Sequence, residues 1–198
     1  MRYILFAYLI FLYSCDSTVN TYHPNGNVET AYHVDKDSLK HGPFIRYFEN
    51  GQIAEESHFI HGKQDGQRVL YYPNGQKESE GTYVDGELHG EKRVYYDSGE
   101  LMISSNYEHS EVVGIFKKYY KNGNLLEEVT FENDLENGPF KEYYEDGTIK
   151  WKGQYLNGDN EFGIVEHYNE AGELIKKLEC DSMKICKTIW EVTTKEEE

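Results

Sequence analysis

Tyr71-Tyr72-Pro73-Asn74-Gly75, followed shortly by Tyr83-Val84-Asp85-Gly86-Glu87-Leu88-His89-Gly90, is the stretch that decides the fold, because it recurs. The first part returns as Tyr22-His23-Pro24-Asn25-Gly26, Tyr47-Phe48-Glu49-Asn50-Gly51 and Tyr95-Tyr96-Asp97-Ser98-Gly99. It continues as Tyr119-Tyr120-Lys121-Asn122-Gly123, Tyr143-Tyr144-Glu145-Asp146-Gly147 and Tyr168-Asn169-Glu170-Ala171-Gly172. The turn glycines Gly26, Gly51, Gly75, Gly99, Gly123, Gly147 and Gly172 stand 25, 24, 24, 24, 24 and 25 residues apart. A fixed period of this length marks a stack of identical supersecondary units. Such arrays commonly present a long binding surface.

Within one unit, Gln67 to Tyr72 and Gln76 to Val84 read as strands around the turn Pro73-Asn74-Gly75. Asp85 to Gly90 reads as a second turn, repeated at His61-Gly62 to Gly66 and Asn157-Gly158 to Gly163. Each unit is a β-hairpin joined to the next by a short connection. The expected fold is all-β: a single-layer, twisted antiparallel meander of roughly twelve to fourteen strands. Asn-Gly suggests a two-residue loop, but that register would place Pro24 and Pro73 where a ladder N–H is needed. A three-residue loop with Pro first and a left-handed Gly last accepts them. This register is expected to put three rows on one face: Tyr47 to Tyr168, Ile53 to Leu174, and Phe59 to Cys180. Ser110 and Asp134 replace the second-turn glycine, which suggests looser turns there.

Composition agrees with this reading. Tyr and Gly each number 18 and Pro only 4, a mixture suited to pleated surfaces and tight turns. The apolar share of 38% argues against a thick core. A formal net charge of −16 repels phosphate backbones and anionic lipid surfaces, so nucleic acid is a poor partner. A basic protein partner would be attracted, and the same charge equally serves solubility.

Arg2 precedes an apolar run from Tyr3 to Tyr13, too short to span a bilayer and of signal-peptide length. Leu12-Tyr13-Ser14-Cys15 resembles a bacterial lipobox, with Tyr13 departing from the usual small or aliphatic residue. The resemblance implies cleavage before Cys15, lipidation of that cysteine and anchoring at the membrane of the cell envelope. An ordinary cleaved signal and an uncleaved segment are the alternatives. The expected organisation is a signal at 1–14, a tether at 15–21, the array at 22–178, and a cap with an acidic tail at 179–198. Export permits a disulfide between Cys180 and Cys186 across a terminal hairpin, the alternative being two packed free thiols.

The Y-Y-x-N-G and Y-x-D-G-x-x-H-G patterns, over about residues 22–175, resemble MORN repeats in their bacterial variant form. Similar proteins are described as YwqK-family antitoxins, often with lipoprotein signals. The resemblance implies a toxin-neutralising or immunity role, and an envelope scaffold without a toxin is the alternative. Phospholipid binding, linked to MORN arrays elsewhere, is disfavoured here by the negative charge.

Chemistry-bearing patterns are sparse. His41, His61 and His89 precede turn glycines and read as polar turn residues, so no metal site is expected. Glu55-Glu56 and Glu127-Glu128 are neighbours on strands and point to opposite faces. No nucleophile elbow or phosphate loop occurs, and neither an enzyme nor a cofactor is expected. The candidate contact surface for a basic protein partner is a stripe of Tyr72, Tyr96, Tyr120 and Tyr144, with Glu80 and Glu128 beside it.

Overall fold

The structure is a computed structural model that describes residues 17–192. The strands are β1 (Ser17–Tyr22), β2 (Val28–Val34), β3 (Lys40–Tyr47), β4 (Ile53–Ile60), β5 (Lys63–Gln64), β6 (Gly66–Tyr71), β7 (Lys77–Val84) and β8 (Glu87–Tyr95). They continue as β9 (Leu101–Glu108), β10 (Glu111–Tyr119), β11 (Leu125–Glu132), β12 (Leu135–Tyr143), β13 (Ile149–Tyr155), β14 (Glu161–Tyr168), β15 (Leu174–Cys180) and β16 (Cys186–Glu191). All sixteen belong to one antiparallel sheet in chain order, with the two-residue β5 off the main path beside β4. No helix occurs among the described residues. The sheet also reaches beyond the expected array. Ser17 to Thr21, expected in the tether, pair with β2, and β16 in the expected cap pairs with β15.

The Pro-containing turn has the three-residue form. Gly75 N donates to Tyr72 O and Tyr72 N donates to Gln76 O, both at 2.8 Å. Asn74 Oδ1 takes the Gln76 amide at 2.9 Å, the local bond that makes Asn a turn residue. Gly75 has φ of 86°, a left-handed value that a Cβ would oppose. The second turn is tighter than the sequence suggests. Val84 pairs with Glu87 around a two-residue loop, in which Asp85 and Gly86 both have positive φ. Such mirror-image turns match the twist of the flanking strands. Gly90 lies outside that turn, inside β8, where the register to β7 shifts and φ is 78°. It therefore forms a bulge, which bends and twists the strand.

Ser110 and Asp134 do not loosen their turns. Both keep the left-handed backbone, at φ of 70° and 64°. Their amides donate to Leu88 O and Val112 O, as Gly86 N does to Gln64 O in a glycine-containing copy. Their side chains add a bond of their own: Ser110 Oγ and Asp134 Oδ1 accept the amides of Leu88 and Val112 at 3.0 and 2.5 Å.

The expected sharing of faces is corrected by a second irregularity. In the β6–β7 pair Leu70 faces Ser79 but Tyr71 faces Lys77, and the same shift recurs at the same place in the other Pro- or Asx-turn hairpins. One skipped residue reverses the side-chain alternation beyond it. The Tyr47-to-Tyr168 and Ile53-to-Leu174 rows therefore share a face, while the Phe59-to-Cys180 row lies on the other. That other face holds most of the buried residues. Phe44 meets Phe59 with ring centroids 5.6 Å apart, and Phe140 stacks on Tyr155 at 4.2 Å. Val129, Phe140, Val165 and Cys180 form the main buried cluster, with Phe131, Trp151, Tyr155 and Leu178 against it.

Candidate functional site

The second tyrosine of each motif has a structural task. Tyr72 Oη donates to Tyr95 O, Tyr96 Oη to Tyr119 O, Tyr120 Oη to Tyr143 O and Tyr144 Oη to Tyr168 O, all at 2.7–2.9 Å. Each hydroxyl reaches the next repeat, so the candidate stripe stitches neighbouring hairpins along one margin of the sheet. Burial comes first among the causes that raise the Tyr72 and Tyr120 phenols above their ordinary range. Turn asparagines add parallel links, as Asn74 Nδ2 does to Asp97 O at 2.6 Å.

Glu80 and Glu128 do not flank this stripe. Strand alternation places them on the opposite face, with the first tyrosine row. There Tyr71 Oη donates to Glu56 at 2.6 Å and Tyr95 Oη donates to Glu80 at 2.5 Å. The bond to Glu56, followed by burial, pushes the Tyr71 phenol up to about 12. Lys77 and Arg93 attend Glu80, and Lys117 attends Glu128. Glu166 holds Lys152 and Lys177, both at 2.8 Å, and accepts from Tyr168 at 2.6 Å. These bonds, Lys152's first, pull its carboxyl down to about 2. This face is a polar network of phenols, carboxylates and ammonium groups.

The surface that departs from the repeat lies at the C-terminal end. A recess of about 960 Å³ is lined by Trp151, His167, Leu174, Ile175, Trp190 and Val192, with Asn169, Glu173, Lys176 and Glu191 among its polar groups. Trp151 and His167 stack almost parallel, 3.9 Å between centroids. Burial, then the nearby Lys150 and Lys176, lowers the His167 imidazole below its ordinary range. Lys176 pairs with Glu191, its neighbour on β16, at 3.1 Å in the lining of the recess. Every residue of β16 is exposed, including Ile189 and Trp190. Trp151 and Trp190 are the only tryptophans in the chain, and that scarcity was the available sequence signal. The strand position of Trp151 holds Glu55, Ser79, Ile103 and Glu127 in earlier repeats.

The terminal hairpin beside this recess is cross-linked. Cys180 faces Cys186 with Cα atoms 4.0 Å apart, and their sulfurs form a disulfide. Glu161 Oε2 lies 3.8 and 3.5 Å from the two sulfurs. Cys15, the expected lipidation site, lies outside the described residues. No helix among the described residues is long and apolar enough to cross a membrane.

No curated protein matches the chain. Among solved structures it is similar to a chain of the Photorhabdus luminescens Tc holotoxin pore, at 12% identity and a TM-score of 0.22. That similarity covers 81% of this chain and 11% of the other, so this chain spans about a tenth of that chain's length. The profile of the MORN repeat variant matches at residues 40–61, 64–85, 88–109, 112–133 and 136–157. Each matched stretch runs from the strand before a bulge glycine through the next hairpin to a second turn, the unit whose links are described above. With five such units making up more than half of its length, the chain belongs to the MORN repeat variant family.

Proposed function

We propose that the chain is a non-enzymatic protein-binding module whose partner docks at the C-terminal recess. The observation that carries this reading is the open concavity at the C-terminal end, where Trp151 and His167 stack on one face and the exposed Trp190, paired in register with Lys177, stands on the last strand toward the other. Aromatic anchors in a pocket are the usual source of binding energy at protein interfaces. MORN repeats are in general interaction modules. The tyrosine stripe is less suited to the role, since its hydroxyls are engaged between repeats. Net charge of −16 favours a basic partner through steering.

The finer form of the proposal follows the resemblance to antitoxin lipoproteins. The partner is then a basic toxin, and the chain is exported and held at the membrane through a lipid on Cys15. The alternative is an envelope scaffold with no toxin partner. Toxicity assays with genes encoded beside this one separate the two.

Capture of a defined partner tests the site. Trp190→Ser, at an exposed position, should weaken capture at least tenfold with little change in melting temperature. The Tyr96→Ser and Tyr120→Ser double variant should lower the melting temperature while its folded fraction still binds. If the tyrosine variant loses binding at unchanged stability and Trp190→Ser does not, the interface is the stripe and this assignment fails. Replacing Cys15 by Ala should release the protein from the membrane fraction; unchanged association would remove the lipid anchor.

A further inference from the structure

We propose that Asp35, His41 and His61 form a site for one first-row divalent transition cation, with Zn²⁺ the best match. Each residue brings a ligand atom within 4.8 Å of the other two. Two imidazoles and a carboxylate are a donor set suited to Zn²⁺, leaving a fourth position for water.

Three separate segments converge to build it. Asp35 follows β2, in the loop before the first stretch matched to the repeat family. His41 lies on β3, and His61 opens the turn between β4 and β5. The carboxylate is prepositioned. Its Oδ1 accepts the amides of Asp37 and Leu39 at 2.9 and 3.0 Å, and its Oδ2 points at His61 Nδ1 at 2.7 Å. The Asp35 side chain is 9% exposed and that of His61 66%, so one ligand is held inside while the other opens to solvent. The turn carrying His61 is tied to β3 by Gly62 N donating to Lys40 O at 2.8 Å. The two imidazoles stand 5.1 Å apart by centroid, with His41 Nδ1 only 3.4 Å from the His61 amide, a long contact that a cation would replace. Hydrogen bonding that fixes a ligating carboxylate is the outer support such sites need.

In the metal-free protein the proton on His61 Nδ1 occupies the position between His61 and Asp35. The cation takes that position, and in the neutral ring the proton moves to Nε2. No proton or electron is otherwise exchanged.

An internal comparison sharpens the assignment. His89 and His109 repeat the pairing of His41 and His61, with centroids 6.0 Å apart, and Glu87 Oε2 lies 2.7 Å from His109 Nδ1. The His109 and Glu87 side chains are both largely exposed, and the three residues do not close into one set of ligand atoms. The other set that closes among the described residues, Glu161 with Cys180 and Cys186, has its sulfurs bonded to each other.

The test is titration of the untagged full chain with ZnCl₂ by calorimetry, and with Co²⁺ by visible absorption. One equivalent should bind with micromolar or tighter affinity, and Co²⁺ should give the d–d bands of a low-coordinate site. His41→Ala, His61→Ala and Asp35→Asn should each weaken binding at least tenfold, while His109→Ala leaves it unchanged. Circular dichroism of each variant confirms the fold, and a misfolded alanine variant is replaced by His41→Gln or His61→Gln. No binding below millimolar Zn²⁺, or affinity unaltered in the folded variants of Asp35, His41 and His61, overturns the proposal.

Discussion

At β6 to β9 the more buried face carries Arg68, Gly81, Lys92 and Ser105, where β12 to β15 carry Phe140, Gly153, Val165 and Leu178. The backbone is the same in both regions: same hairpin, same bulge, same tyrosine link. What fills it differs. In the C-terminal region Val129, Phe140 and Val165 are at most 3% exposed, and Gly153 leaves room for the Phe140 ring; a Cβ there would lie 2.8 Å from that ring. Beside the earlier region Glu55 of β4, 9% exposed, holds Arg46 of β3 at 3.3 Å and Arg68 of β6 at 2.8 Å, and within it Lys92 lies over the Tyr107 ring. The contrast teaches that turn chemistry and the backbone ladder specify this fold, while the interior sets how firmly each segment is held. In a repeat array, where each unit touches its neighbours alone, stability is expected to vary locally.

Truncating Phe140 should have the largest effect. Phe140→Ala should destabilise by about 3–5 kcal/mol through lost burial and a cavity. Lys92→Ala, at the corresponding site of the earlier region, should change stability by no more than about 1 kcal/mol. Chemical denaturation measures both, and equal losses would erase the distinction between the regions. Glu55→Gln removes the charge between two guanidinium groups that remain partly in solvent. A loss of about 1–3 kcal/mol is expected, discounted from a fully buried pair. Native-state hydrogen exchange should show it as earlier opening of β3, β4 and β6 with β12 to β15 unchanged.

Acid should act on the other face, at Glu166. Its folded carboxyl is depressed to about 2 by Lys152, Lys177 and Tyr168, whereas an unfolded Glu titrates near about 4.3. The unfolded state therefore binds the proton more readily. The stabilisation is fully present above the unfolded value and is lost as pH falls toward 2. Glu166→Gln should flatten the acid side of the stability profile in that window; an unchanged profile would show the trio to be energetically silent. The smallest effect belongs to Ser110→Gly. Relief of the left-handed serine is opposed by loss of its bond to the Leu88 amide, and the net change should stay within about 0.5 kcal/mol. A thermal melt reads it.

Period, strand type and the three-residue turn were legible because Gly, Pro and Asn act locally, through their own backbone preferences. The sharing of faces was not. The residue skipped after each Pro- or Asx-turn is Glu29, Ala54, Glu78, Met102, Leu126, Lys150 or Ile175, a series without common chemistry. With no signature for the skip, simple alternation puts the Phe59-to-Cys180 row on the wrong face and Glu80 and Glu128 beside the second tyrosines instead of the first. The task of the second tyrosine row was hidden for a related reason. Its acceptors are backbone carbonyls, which every residue supplies. The Asp35–His41–His61 grouping was hidden because the meander brings His61 to residues 20 and 26 positions before it, and single-turn reading sees each histidine alone.

The links between repeats have a direction. On one margin a phenol reaches forward to the next unit, as Tyr72 does to Tyr95; on the other a turn amide reaches back, as Gly86 does to Gln64. Both reaches span about one unit. A duplication or excision of one whole 24-residue block would leave every donor opposite an equivalent acceptor, whereas a gain or loss of one residue would break both margins at once. Copy number in such a chain is therefore free to change by whole units during inheritance, and the span between its first and last strands is adjustable while the links along both margins are kept.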